Sequence, residues 1–156
     1  MPAKQTALRE ISIVEQRNPA LRRRWFQSDY FDLFTWQDAA GELTRFQLCY
    51  DVGHNERALI WSKGEGVYHD GVDSGEPAGG GNQTPIFVPD GKFDSGTVVP
   101  RFQREAVSLP TELRDFVLSK MREHLLTQYR LKVGRNRVRR EKWQQRSSRT
   151  EGGQEN

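Results

Sequence analysis

Hydrophobic and polar positions follow two different periods along the chain. In residues 43–51 (LTRFQLCYD), Thr44, Phe46, Leu48 and Tyr50 share one face, and Arg45, Gln47 and Cys49 share the other. Period two with mixed polarity predicts an antiparallel strand with one covered face. Residues 29–37 (DYFDLFTWQ) are rich in aromatic and β-branched side chains and predict a strand before it. Gly41 supplies the left-handed conformation that a short hairpin loop needs. Residues 56–63 (ERALIWSK) read as a third strand and residues 66–69 as a weaker fourth. Together, 29–69 predict a meander.

The period lengthens on either side. Ala7, Leu8, Ile11 and Val14 recur every three or four residues, which predicts a short amphipathic helix stopped by Asn18-Pro19. The cluster Arg22-Arg23-Arg24 reads as a solvated entry to the first strand. Further on, Ile86-Phe87-Val88 reads as one more short strand. Thr97 is placed to cap a helix over 98–106, with Pro100 in its first turn. Pro110 suits the start of a second helix, and Leu113, Phe116, Val117, Met121 and Leu125 form its apolar stripe. Glu112 and Asp115 lie early, and Lys120, Arg122 and His124 late, in agreement with the helix dipole.

Residues 70–85 (DGVDSGEPAGGGNQTP) hold almost no apolar side chains and predict a mobile connector. Gly79-Gly80-Gly81 is followed by neither Lys-Ser/Thr nor a helix start, so it is not read as a phosphate loop. Past Gln128 the apolar pattern fades. The expected fold is therefore α+β: an antiparallel three- to four-stranded β-meander covered by C-terminal helices, with a disordered basic tail. The expected organisation is an N-terminal segment (1–21), a single domain (22–128) and the tail (129–156).

Charge sharpens that division. Residues 1–128 carry 15 Lys and Arg against 18 Asp and Glu, and residues 129–156 carry 9 against 3, within an overall net charge of +3. A mildly acidic body thus bears a strongly basic end. No run of 18 apolar residues exists, so no membrane partner is expected. The single cysteine excludes an intrachain disulfide. With no apolar secretory core at the start, these features lead to the expectation of a cytoplasmic protein.

The string Arg23-Arg24-Trp25-Phe26, then Asp32-Leu33, Trp36, Gly41 and residues 46–51 (FQLCYD), followed by residues 56–59 (ERAL), resembles a family of short bacterial proteins with no assigned function. The resemblance covers roughly the central hundred residues. It implies a small bacterial cytosolic domain and carries no catalytic set.

Four constellations have chemical potential. Arg135, Arg137, Arg139, Arg140 and Lys142 surround Trp143 and can neutralise phosphates, releasing counterions and binding nucleic acid or another polyanion. The aromatic residues crowded into 25–68 exceed what one helical cover hides, so Trp36 and Trp61, with Arg45 and Arg57, are candidates for an exposed patch that meets a protein partner or stacks bases. Asp51 and His54 on one turn, with His69 and Asp70 on another, are candidate metal ligands, although their spacing matches no established ligand pattern. Cys49 lacks a nucleophile signature and reads as a small packed side chain. The composite expectation is a binding module without enzymatic activity or cofactor. The alternatives are a small metal-dependent enzyme using the His/Asp turns and a protein-interaction domain using the aromatic face.

Overall fold

The computed structural model describes residues 4, 6–12, 14–72, 87–89 and 93–151. They form an α+β fold in which seven antiparallel strands pair strictly in chain order, so the sheet is a single meander. The strands are β1 (Arg9–Glu10), β2 (Arg22–Gln27), β3 (Phe31–Gln37), β4 (Leu43–Tyr50), β5 (Arg57–Ser62), β6 (Gly66–Val72) and β7 (Phe87–Pro89). Two helices follow, α1 (Ser95–Glu105) and α2 (Thr111–Glu151), joined through a 3-10 turn at Ala106–Ser108.

The expected α+β meander is present, but with seven strands rather than three or four. Two of the additions have clear causes. The cationic cluster is the body of β2: Arg22 pairs with Gln37, Arg23 with Trp36 and Arg24 with Thr35. Arg22 is exposed, as expected, but Arg23 and Arg24 are half-buried beside aromatic rings, Arg23 4.8 Å from the Phe34 ring centroid and Arg24 5.0 Å from that of Phe26. The short helix expected near the N-terminus is instead β1, paired with β2 through Arg9–Gln27 and Glu10–Phe26. Leu8 is drawn into the core there, its N–H donating to the Glu105 carbonyl at 2.9 Å. That tertiary anchor and the bidentate Arg24–Glu10 pair at 2.7 and 2.9 Å outweigh the weak local helical pattern.

Cross-strand registers fix the two faces of the sheet. Leu33, Leu48 and Leu59 stand in one row, and Phe46 and Trp61 in the next, all buried beneath the helices. Val98 and Phe102 of α1, with Val117, Leu118 and Met121 of α2, close this core from above. Trp61 lies between Phe46 and Phe116, whose ring centroids are 6.1 and 4.7 Å away. The opposite face carries a smaller buried cluster of Cys49, Ala58 and Ile60. Among the described residues no helix covers that second face.

Two helix boundaries differ from expectation. Asp94 precedes the first helical residue, Thr97 lies inside α1, and Pro100 falls beyond the first turn. Proline lacks the N–H that would bond the Gly96 carbonyl four residues back, so α1 accommodates one missing rung. The larger difference is α2, which runs for 41 residues through most of the segment expected to be disordered. Its Lys, Arg and Gln residues have good helix propensity, and Arg137 bonds Glu141 one turn on at 3.1 Å. β6 extends to Val72, three residues into the glycine-rich segment. The remainder of that segment, and residues 152–156 of the expected tail, lie outside the described residues.

Candidate functional site

α2 has two parts with different surroundings. From Thr111 to Gln128 it lies on the sheet, and the line Val117, Met121, His124, Gln128 faces inward, the first three buried and the last half-buried. From Tyr129 to Arg146 every residue is exposed. Eighteen residues complete five turns at 3.6 residues per turn, so residues 18 apart lie on one line of the helix. Val117, Met121, His124 and Gln128 are followed on that line by Arg135, Arg139, Lys142 and Arg146, with Lys132 between the two sets. The line that faces the sheet, and carries no charged side chain among Val117, Met121, His124 and Gln128 with His124 neutral, thus becomes cationic where the helix leaves it.

The structure therefore sorts the five cations predicted from sequence. Arg135, Arg139 and Lys142 share this line, whereas Arg137 and Arg140 project from the other side of the helix. Arg137 is also the one engaged with Glu141. Simple clustering in sequence does not reveal this. The signal is the three-four spacing of Lys132, Arg135, Arg139, Lys142 and Arg146, which is the spacing normally sought among apolar residues. Exposed Tyr129 and Trp143, 67% and 71% accessible, accompany the cations on the projecting part.

The candidate patch residues divide between two faces. Trp36 and Arg45 stand together on the face without a described helix, paired across strands in a row that reads Arg23, Trp36, Arg45. The Arg45 guanidinium lies 5.0 Å from the Trp36 ring centroid and that of Arg23 5.8 Å. Trp61 is on the opposite, covered face, where Lys120 lies 5.5 Å from its ring. Arg57 is directly across from Tyr50, on that same covered side. Composition alone groups these four residues, and the pleat sends them in opposite directions.

The metal candidates do not converge either. His54 is exposed in the β4–β5 turn, with Nδ1 3.3 Å from the Val52 carbonyl, and Asp51 holds a left-handed backbone conformation in the same turn. His69 and Asp70 are consecutive in β6 and point to opposite faces of the sheet. Among the described residues no group of three His, Cys, Asp or Glu side chains is positioned to hold a metal ion.

His69 has different neighbours, which the sequence does not suggest. It is buried under α2, its Nε2 is 2.6 Å from the Tyr50 hydroxyl, and its ring centroid is 6.0 Å from that of His124. Phe93 packs against both imidazoles. Burial, and then the neighbouring His69, push the His124 pKa below its ordinary value. In the sequence His124 reads only as a residue suited to the helix dipole, because its partner lies 55 residues away on another element.

Cys49 is buried, receives a hydrogen bond from Gln47 Nε2 at 3.3 Å, and has its thiol pKa pushed up to about 11, chiefly by burial. A protonated thiol of that kind is a packing group and not a nucleophile. A cleft of about 520 Å³ opens between the β3–β4 hairpin and the start of α2. It sets Arg24 and Lys63 against Glu42 and Glu112 over a floor of Trp61 and Phe116, so its charges oppose one another instead of converging. No helix among the described residues is long and apolar enough to cross a membrane. No protein-family model, curated protein or solved structure matches the chain.

Proposed function

We propose that this protein is a non-enzymatic binding module that holds nucleic acid or another polyanion on the projecting half of α2. The observation that carries the reading is the cationic line Lys132, Arg135, Arg139, Lys142, Arg146, in register with the part of the helix fixed on the sheet. Along the helix these residues are separated by about 4.5–6 Å of rise, so each can meet a separate phosphate. The rest of the chain carries the opposite net charge, which keeps a polyanion off the body and on the helix. The sheet domain acts as a mount.

The test is a titration of the full chain against duplex nucleic acid and heparin at low salt. It is run beside a variant with Lys132, Arg135, Arg139 and Lys142 all changed to Gln. The expected result is binding by the native chain and a loss of about tenfold or more in the variant. Equal binding by both chains removes the reading.

A second reading uses the row Arg23, Trp36, Arg45 as a contact surface for a protein partner. It is favoured by the half-exposed stack in which the Arg23 and Arg45 guanidiniums flank the Trp36 ring on the face that no described helix covers.

A further inference from the structure

The projecting half of α2 bears cations on two sides. With about 100° between successive residues, Lys132, Arg135, Arg139, Lys142 and Arg146 fall within roughly 80° of arc. Arg130, Arg137 and Arg140 fall within a similar arc on the other side, their centre roughly 170° from the first. Between the two rows runs a line repeating every seven residues: Tyr129, Asn136, Trp143. All of these side chains are exposed.

We propose that this part of α2 enters the major groove of B-form DNA. The inference rests on the polyanion reading above and names its ligand. A helix with side chains is about 10–12 Å across, and the B-form major groove is about 12 Å wide. A rod so placed has a phosphate strand on either side and base edges before it. One cation row meets each strand. The line between the rows meets the bases, with the Asn136 amide able to pair with adenine and the Tyr129 and Trp143 rings able to contact thymine methyl groups. One-sided electrostatic binding needs only the first row; the second row, nearly opposite, is what a groove with two charged walls calls for. A-form duplex RNA has a deep, narrow major groove that excludes this geometry. Arg137 exchanges its bond to Glu141 for a phosphate, which is a small cost for an exposed pair.

Fluorescence anisotropy of the full chain tests this with labelled duplex DNA, duplex RNA and single-stranded DNA of one sequence, and with heparin as competitor. Three variants accompany it: Lys132, Arg135, Arg139 and Lys142 to Gln; Arg130, Arg137 and Arg140 to Gln; and Asn136→Ala. Circular dichroism checks that each keeps its helix. The expected result is duplex DNA bound about tenfold or more tighter than duplex RNA, and weaker binding on neutralising either row. Asn136→Ala is expected to lower discrimination between DNA sequences about fivefold or more. Equal affinity for the two duplexes, tighter binding to the single strand, or indifference to the second row overturns the groove assignment while leaving the polyanion reading intact. Failure to bind any of the four ligands at low salt removes both.

Discussion

The two halves of α2 share one backbone geometry and differ in what holds them. From Thr111 to Gln128 the helix is fixed by tertiary packing: Val117 and Met121 are fully buried, and Phe116 meets Phe46 and Trp61 edge-on. From Tyr129 to Arg146 no side chain is buried, and the order of the helix comes from propensity and local pairs such as Arg137–Glu141. The same line of positions is therefore filled to opposite ends. In the first half Val117 and Met121 are apolar where they pack into the core, and His124 meets His69 and Phe93. In the second it is cationic and faces solvent, where a charged side chain keeps its hydration.

The sharpest way to break this contrast is to exchange residues between the halves. Met121→Arg places a charge in a fully buried site and is expected to cost about 3–5 kcal/mol, enough to unfold much of the domain. Arg139→Met, five turns further along the same line, is expected to change stability by no more than about 0.5 kcal/mol. Denaturant unfolding of both variants measures the difference. Similar effects at the two sites would show that the projecting half is packed after all.

Much of the first half is legible in the sequence, and little of the second. The meander strands β3, β4 and β5 are readable because the period-two pattern is enforced by a buried face: Phe46, Leu48 and Tyr50 separate from Arg45, Gln47 and Cys49 without knowledge of any partner. The stripe on α2 up to Leu125 is readable for the same reason. β1 is not, because two residues cannot display a period, and the groups that hold it, Arg24 and Glu105, stand on other elements. The continuation of α2 escapes a reading based on apolar periodicity, because a solvent-exposed helix carries its period in charges. The histidine pair is equally hidden, because His69 and His124 are brought together only by docking α2 over β6.

A smaller effect belongs to that pair. Because the His124 pKa is lowered in the folded chain, the unfolded chain takes up its proton first as pH falls. Its stabilising contribution is complete above pH about 6.5, the ordinary value, and is lost progressively as pH falls through the depressed folded value. Tm is expected to decrease between pH 7.5 and 5.5, with His124→Leu flattening the decrease. An unchanged slope in the variant would contradict the assignment. Asp70 and Glu56, whose carboxyl pKa values are raised chiefly by burial, act with the opposite sign, so the comparison with His124→Leu is what isolates the imidazole of His124.

The projecting half responds to local substitutions alone. Gly134 sits within it with open space where a Cβ would stand. Gly134→Ala is expected to stabilise the helix there by about 1 kcal/mol and to slow amide exchange on both sides, with no change in the sheet. Smallest of all, Glu141→Gln removes the pairing with Arg137, with an expected decrease of about 0.3–0.5 kcal/mol in local helix stability that salt erases.

The slope of log K against log salt for duplex DNA, compared between the native chain and the Lys132/Arg135/Arg139/Lys142→Gln variant, bears most directly on the role of the cationic line. If these side chains each displace a counterion, the variant's slope is shallower by about 0.9 for every phosphate no longer neutralised, up to about 3.6 for the four. Parallel slopes would mean that the phosphates are held elsewhere, and that the line on α2 is only a solvated surface.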